Sequence, residues 1–514
     1  MSGLDLVRQQ AQIAKAVEWL RAHAAADAQL HADSRSLKSG DVFFAYAVDG
    51  ADSRPFIDAA LENGAAAVLY QPENFTGKPD PSRALAVKAL NELAGPIASA
   101  WYGEPTDSML VVGVTGTNGK TSCSHWLATA LSALGTPCAV VGTLGSGMPG
   151  KLVHSGFTTP DAPQLQRTFA QFKTDGAKAV AMEVSSHALH QGRVNGTKFD
   201  IAIFTNLTQD HLDYHGTFAA YEGAKAKLFA WPALKAAVIN RDDLAGQRLI
   251  ASCHGRTRTI AYGIAENAAG AGVKADASLL ASRVRATATG TAFHLSSDWG
   301  DADVEVATLG EFNVSNLLGV LGALLAAQIP LDAALTQIAK LEAVNGRMQR
   351  LGGRLQNDEP LVVIDFAHTP DALEKTLAAL RPIAETRGGQ LICMFGCGGD
   401  RDATKRPLMG AIAEKNADHV VITSDNPRGE DPLAIIDQIA AGFQDASKAR
   451  RIEDRASAIL QAIRTAARED VVVLAGKGHE ATQEIMGKKR AFSDQDHARL
   501  ALAARATQAR GGGE

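Results

Sequence analysis

An α/β protein of three domains is the fold this sequence predicts, and three observations carry it. The chain, at 514 residues, exceeds what one hydrophobic core usually organises. From Met109 to about Gly346, apolar strand-like runs alternate with helical spacing, which implies a largely parallel sheet covered by helices. In the last third one pattern occurs four times, an apolar strand running straight into a polar or glycine-rich turn. The expected division is a mixed α/β domain over 1–108, a central P-loop-like domain with a mostly parallel sheet over 109–346, and a Rossmann-like α/β domain over 347–514.

In chain order, the first domain holds short mixed segments such as Asp41-Val-Phe-Phe-Ala45 and Ala65-Ala-Ala-Val-Leu-Tyr70. It ends at the turn Tyr102-Gly-Glu-Pro-Thr-Asp107, a linker by composition. The second opens on the apolar run Met109 to Val112, a buried strand, and continues through Lys178-Ala-Val-Ala-Met-Glu183, Asp200-Ile-Ala-Ile-Phe204 and Ala236-Ala-Val-Ile-Asn240. The insert from about Thr257 to Asp303 reads as antiparallel strands, and Leu317 to Ile329 as a buried helix too short to span a bilayer. The four strand-to-turn units of the third domain end at Asp365, Phe395, Thr423 and Leu474. In an open parallel sheet such carboxyl ends lie along one edge, where ligands bind.

Hydrophobic residues at 46% with charged residues at 21% describe a globular protein, and a net charge of −5 leaves no basic footprint for nucleic acid. Five scattered cysteines, odd in number, argue against a disulfide scaffold. With no signal-peptide pattern at the N-terminus and no membrane span, a cytoplasmic protein is expected.

The most informative stretch is Gly113-Val-Thr-Gly116-Thr117-Asn118-Gly119-Lys120-Thr121-Ser122, between that strand and a run of helical spacing. Backbone N–H groups at a helix start favour an anion, Lys120 can reach terminal phosphates, and Thr121 can ligate Mg²⁺. The spacing is Gly-x-x-Gly-x-x-Gly-Lys-Thr rather than the strict P-loop pattern, but a nucleotide is still implied. Glu183, ending a strand beside this loop, reads equally as a Mg²⁺ ligand or a helix cap. His211 and His215, at i and i+4 among Asp210 and Asp213, could suggest zinc. The metalloprotease glutamate is missing, however, and an oxygen-rich Mg²⁺ surrounding with His211 as a ligand suits a nucleotide enzyme better. Lys225 and Lys227 read by composition as solvated helix charges. In Asp425-Asn426-Pro427-Arg428, the arginine at a strand's end is suited to a bidentate grip on a carboxylate.

Together these residues resemble the Mur ligase family, ATP-dependent amide-forming enzymes of peptidoglycan precursor synthesis. The resemblance runs along nearly the whole chain. It is carried by Asp33-Ser34-Arg35, the Thr-Gly-Thr-Asn-Gly-Lys-Thr loop, Met182 to His187, Asn206 to His215, Gly346-Arg347, Asp365 to Pro370 and Gly476-Lys-Gly-His-Glu480. Thr158-Thr159-Pro160, Ser185-Ser-His, Gln191-Gly-Arg193 and the Asp-Asn-Pro-Arg turn are similar to the branch of the family that adds meso-diaminopimelate.

The resemblance implies a first domain that binds UDP, a central ATPase domain and a last domain that binds an amino acid. Gly116, Thr117, Asn118, Gly119, Lys120, Thr121 and Ser122 would hold the ATP phosphates, with Asn316, Arg347 and Asp365 completing the nucleotide site. Thr121, Glu183 and His211 would serve Mg²⁺, joined by Lys225, which aligns with a lysine the family carries in carbamylated form. Lys120, Glu183, His211 and Lys225 are then the catalytic set. Ser34, Thr158, Thr159, Ser185, Gln191 and Arg193 would hold the UDP-muramoyl-dipeptide. Diaminopimelate would fall to Arg401, Asp425, Asn426, Pro427, Arg428, Gly476 and Glu480.

Two departures stand out: the loop Val48-Asp49-Gly-Ala-Asp-Ser53-Arg54, where relatives commonly end in Asp-Gly-Arg, and Phe366 at a frequent tyrosine. Small-molecule substrates, no nucleic acid, no membrane and a monomer are expected. The competing readings are a folylpolyglutamate synthase or lysine-adding ligase within the superfamily, and a P-loop switch or motor outside it. The four ligand-facing turns weigh against the last.

Overall fold

The computed structural model describes residues 3–154, 156–267, 272–287 and 290–511. Three main sheets follow one another along the chain. The first is four-stranded and parallel, built from Leu30–His31, Val42–Ala45, Ala67–Tyr70 and Ala84–Ala86 in that order. Strand alternation sends Val42 and Phe44 toward the helices Gly3–His23 and Leu90–Trp101, and Phe43 and Ala45 toward the short helix Ile57–Glu62. Both faces are therefore covered, as a parallel sheet requires.

The central sheet has eleven strands. Its parallel heart runs Cys138–Gly142, Ala179–Glu183, Leu110–Thr115, Ile201–Phe204 and Ala236–Asn240. Each of these strands, apart from Leu110 at an end, is buried along its length, which is why they read as continuous apolar runs. The helices Lys120–Ala133 and Glu311–Ala326 pack on one face, and Ala162–Thr174 and Leu244–Cys253 on the other. Leu317 to Ala326 falls within the expected buried helix.

The insert departs from the antiparallel expectation. Arg258–Ile264 and Ala277–Ala286 both continue the sheet in parallel, and only Thr291–Ser297 and Ala302–Val306 turn back antiparallel. Period-two alternation marks a half-buried strand but carries no information on the direction of its neighbour.

The third sheet runs Gln349–Gly352, Leu361–Asp365, Val471–Ala475, Leu391–Phe395, His419–Ile422 and Ala449–Arg451, parallel except for the first strand. Helices Pro370–Arg387, Lys405–Asn416 and Pro432–Ala440 cover one face, and Arg455–Thr465 and Asp494–Gly511 the other. All four polar turns singled out in the sequence leave the same edge of this sheet. Among the described residues no helix is long and apolar enough to cross a membrane.

Candidate active site

The phosphate loop leaves the strand Leu110–Thr115 and enters the helix at Lys120. Gly116 and Gly119 adopt φ of 147° and 87°, where a side chain is strained. A Cβ at Gly116 would strike Thr205 Oγ1, and one at Gly119 would strike Asn316 Oδ1. The loop is braced from the neighbouring strand's end. Thr117 N–H donates to Asn206 O at 2.8 Å, Asn118 N–H donates to Asn206 Oδ1 at 3.0 Å, and Thr205 Oγ1 donates to Asn118 O at 2.6 Å. Thr117 Oγ1 lies 3.1 Å from the Tyr221 hydroxyl. Ser122 is buried in the first turn of the helix.

Two lysines converge on this loop. Lys120 Nζ donates to Gly116 O and Thr117 O, each at 2.9 Å, and Lys225 Nζ donates to the same Gly116 O at 2.8 Å. Lys225 is 2% exposed on the helix Phe218–Ala226, with its Nζ 4.5 Å from the centre of the Tyr221 ring. Burial, then the charge of Lys120, pushes its pKa well below the ordinary lysine value, against the pull of Asp210. Lys227 by contrast is exposed, its ammonium reaching Leu189 O at 3.4 Å. Only one of the two lysines faces the phosphate loop, and compositional reasoning could not tell which.

Glu183 ends its strand opposite Val114 and is 1% exposed. Its carboxylate accepts Thr143 N–H at 2.8 Å and the Thr143 hydroxyl at 3.1 Å. The capping alternative is set aside, because Ser185 caps the next helix by accepting Ala188 N–H at 3.1 Å. His211 adopts φ of 53°, sits 3.4 Å from Asp210 and packs edge-on against the His187 ring at 4.9 Å. His215 turns away to Ser186 Oγ at 3.0 Å, and among the described residues no three His, Cys, Asp or Glu side chains converge as a ready metal cage. The Thr121 hydroxyl and the Glu183 carboxylate are hard oxygen donors. They fit Mg²⁺, which takes few protein ligands and fills its shell with phosphate oxygens and water.

Apart from Ser34, the residues expected to hold the muramoyl-dipeptide form one hydrogen-bonded chain. Thr158 Oγ1 lies 3.0 Å from Thr143 Oγ1, and Thr159 Oγ1 donates to Glu183 O at 2.9 Å and accepts Ser185 N–H at 3.3 Å. Arg193 donates to Thr159 O at 3.1 Å and to Gln191 Oε1 at 2.6 Å, and Gln191 donates to the Tyr214 hydroxyl at 3.1 Å. Tyr214 in turn donates to Asp49 of the first domain, which also faces His190 at 3.4 Å. In the loop from Val48 to Arg54, Arg54 is turned inward onto Asp52 and Glu73 O, and Asp49 makes the contact across to the central domain. Ser34 opens a 3₁₀ turn capped by Asp33. A cavity of about 400 Å³ opens between Asp49, Asn91, His190, Gln191 and Trp231.

From the third sheet, Arg347 reaches back to the phosphate loop. Its Nη2 donates to Thr121 Oγ1 at 3.3 Å while its guanidinium lies 4.2 Å over the Phe366 ring. Asn118 Nδ2 likewise donates to Asp371 at 3.3 Å. Asp365 is engaged within the fold, accepting Met348 N–H at 2.8 Å, Ala367 N–H at 2.9 Å and Thr376 Oγ1 at 3.2 Å. Burial pushes its pKa up. Here it braces the loop that carries Phe366 and His368.

At the edge of this sheet Asn426 Nδ2 donates to Glu480 at 2.7 Å. Lys477, 0% exposed, donates to Asn426 Oδ1 at 3.1 Å and to Glu480 at 2.8 Å, and faces Asp425 at 3.6 Å. Gly476, at φ of 111°, presses so near Asp425 that a Cβ would lie 2.9 Å from its Oδ2. Pro427 leads into Arg428, which is held at φ of 53° and donates to Gly399 O at 2.7 Å. Arg401 is not drawn into this cluster; it is exposed, donating to Asp400 O at 3.4 Å. Lys477, Asp49, Tyr214 and Asn206 are the residues that sequence reasoning left without a role. All four lie in stretches the sequence singles out: Lys477 in Gly-Lys-Gly-His-Glu, Asn206 and Tyr214 between Asn206 and His215, and Asp49 in the loop Val48 to Arg54.

A parallel α/β core with a phosphate loop, joined to a second parallel sheet whose ligand edge faces that loop, defines an enzyme that activates one substrate with a nucleotide and joins it to another. The chain matches the family model described as Mur ligase middle domain over residues 114–324 and that described as Mur ligase, glutamate ligase domain, over 346–478. It is 58% identical over 505 residues to the UDP-N-acetylmuramoyl-L-alanyl-D-glutamate--2,6-diaminopimelate ligase of Ralstonia nicotianae, covering 97% of this chain and 98% of the relative. It is 51% identical over 506 residues to the protein of the same name from a Janthinobacterium species, covering 96% and 98%. A solved structure bearing that name superposes with a TM-score of 0.65 at 38% identity, covering 93% of this chain and 95% of the other. The chain belongs to the Mur ligases.

Proposed function

We propose that this enzyme is an ATP-dependent ligase that joins meso-2,6-diaminopimelate to the D-glutamyl carboxylate of UDP-N-acetylmuramoyl-L-alanyl-D-glutamate, in peptidoglycan precursor synthesis. The observation that carries this reading is the facing of two sites. Arg347 and Asp371 of the third sheet's domain touch the phosphate loop, while Asp425 to Arg428 and Glu480 line the same edge. The names of the similar proteins supply the substrates.

A carboxylate oxygen of the muramoyl-dipeptide attacks the γ-phosphorus of ATP, and the bond to ADP breaks, giving an acyl phosphate. The amine of diaminopimelate then attacks the acyl carbon and loses a proton. The tetrahedral intermediate expels phosphate with the C–O electron pair, leaving an amide. The protein's part is positioning and charge stabilisation. Gly116 to Ser122 offer the helix N-terminus and Lys120 to the phosphates, with Asn316 and Arg347 beside them. The chain from Thr158 to Arg193 holds the dipeptide, with Ser34 on its uridine side.

Thr121, Glu183, His211 and Lys225 would hold magnesium, which when bound neutralises charge on the phosphate oxygens. Lys225 could join them as a carbamate, because an amine kept neutral by burial reacts with carbon dioxide, and the product is a carboxylate-like oxygen donor. Asp425, Asn426, Arg428, Gly476 and Glu480, with Arg401 at the rim, would hold the zwitterionic amino acid. The protein acts as a monomer in the cytoplasm in this reading.

Arg428 tests the choice of amine. Arg428→Ala should lower kcat/KM for diaminopimelate by about 10–100-fold, the worth of a charged hydrogen bond, with KM for ATP unmoved. Arg428→Lys should recover little, because a point charge cannot replace a planar fork. Full diaminopimelate-adding activity in Arg428→Ala would overturn the assignment.

A further inference from the structure

Three buried nitrogen atoms without a hydrogen-bond partner lie within electrostatic reach of one another where the central domain faces the third: Arg347 Nη1, His125 Nε2 and His479 Nδ1. They come from three separate segments. His125 lies four residues beyond Thr121, on the same face of the phosphate-loop helix. Arg347 is anchored by its other nitrogen to Thr121 Oγ1 at 3.3 Å and lies flat on Phe366. His479 packs on the same Phe366 ring, with centroids 5.3 Å apart, and its backbone presses against Gly346. Phe366 thus packs against both Arg347 and His479.

Native proteins rarely leave such atoms unsatisfied, and three in one region beside the phosphate-loop helix mark a place for an acceptor. Arg347 can only donate. Each imidazole is held neutral: burial, then the Arg347 charge, brings His479 down to about 3, and burial lowers His125. A neutral ring still carries one N–H, and the tautomer with that hydrogen on the orphan nitrogen turns both histidines into donors. Two neutral donors and one guanidinium suit a tetrahedral oxyanion.

The geometry points to His125 and His479, together with Arg347, as the donors that receive the phosphoryl oxygens of the acyl phosphate and hold the phosphate it becomes. This rests on the ligase reading above and adds two phosphoryl-binding residues to it. The position suits the task. His125 and Arg347 flank Thr121 at the phosphate loop, while His479 adjoins Glu480 of the amino-acid cluster, so the group held between them lies between the nucleotide and the incoming amine.

Positional isotope exchange tests it in the full chain. ATP carrying ¹⁸O in the β,γ bridge scrambles that label only when the acyl phosphate forms reversibly, and no amine is needed. His125→Phe and His479→Phe, which keep a ring and remove the donor, should slow exchange by about 10–100-fold each, with KM for diaminopimelate changed no more than about twofold. His125→Gln and His479→Gln, which restore an N–H, should recover most of the rate. Inorganic phosphate should inhibit both Phe variants more weakly than the wild type. Unchanged exchange with a raised KM for diaminopimelate would overturn the proposal and assign the histidines to the amine. Gln variants as slow as Phe variants would reduce the two residues to packing. Wild-type enzyme that forms no amide from ATP, the dipeptide and any amine would overturn the ligase reading itself, a result distinct from either.

Discussion

Lys225→Ala should lose about 10²–10³-fold in kcat while keeping the fold, the scale set by removing one preorganised group that stabilises charge in a water-poor site. The side chain is buried beside Lys120, and the two lysine nitrogens share the Gly116 carbonyl. That arrangement is electrostatically unfavourable as it stands, because burial and Lys120 both oppose the Lys225 charge. Carbamylation would resolve it by turning the Lys225 amine into an anion that pairs with Lys120 and with magnesium. Alanine removes the nucleophilic amine, so added bicarbonate should not restore activity. Circular dichroism and ATP binding should remain near wild type, since the loop keeps its braces from Asn206 and Thr205. Near-normal turnover in Lys225→Ala would remove the carbamate from the mechanism.

The largest stability effect is expected at Arg455. It opens the helix Arg455–Thr465 and forms a two-pronged pair with Asp494 at 2.6 and 2.7 Å, both side chains fully buried. The same guanidinium donates to Ser424 O at 3.3 Å and Ala475 O at 3.0 Å, the residues just before Asp425 and Gly476. Arg455→Ala leaves Asp494 charged and unpaired in the interior and should cost about 3–5 kcal/mol in chemical denaturation. Because the guanidinium also backs two amino-acid-binding turns, folded Arg455→Ala should show a raised KM for diaminopimelate with KM for ATP unchanged. The double variant Arg455→Leu/Asp494→Leu should regain much of the stability, since replacing both partners removes the stranded charge. A loss below 1 kcal/mol in the single variant would contradict this account.

The parts of the protein legible in its sequence are those whose signal is local. A glycine spacing between an apolar strand and a helix declares the phosphate loop, because φ values of 147° and 87° demand glycine there. Strands buried on both faces read directly as apolar runs, so the two large parallel sheets and the shared edge of the four turns follow from the chain.

What escaped is non-local. Lys477 is bonded to Asn426, fifty-one residues away, and to Glu480 across its own turn, an enclosure that a lysine flanked by glycines does not announce. The Asp49 to Tyr214 contact spans 165 residues. Alternation in Ala277–Ala286 announces a half-buried strand, yet its parallel partner is set by the sheet it joins. Asp365 accepts bonds from Met348, Ala367 and Thr376, contacts visible only once those segments are folded together.

The central claim, that a carboxylate activated at the phosphate loop is delivered to an amino acid held by Asp425 to Arg428, rests most directly on the product. Enzyme incubated with ATP, magnesium and UDP-N-acetylmuramoyl-L-alanyl-D-glutamate should, with meso-diaminopimelate, yield one new species. Its mass is the sum of the two substrates less one water, formed with one ADP and one phosphate. Lysine should react far more slowly, because its missing carboxylate leaves Arg428 unpaired, and no amine should give no amide. Equal yields with lysine and diaminopimelate, or ATP hydrolysis with no amide in any tube, would contradict the account.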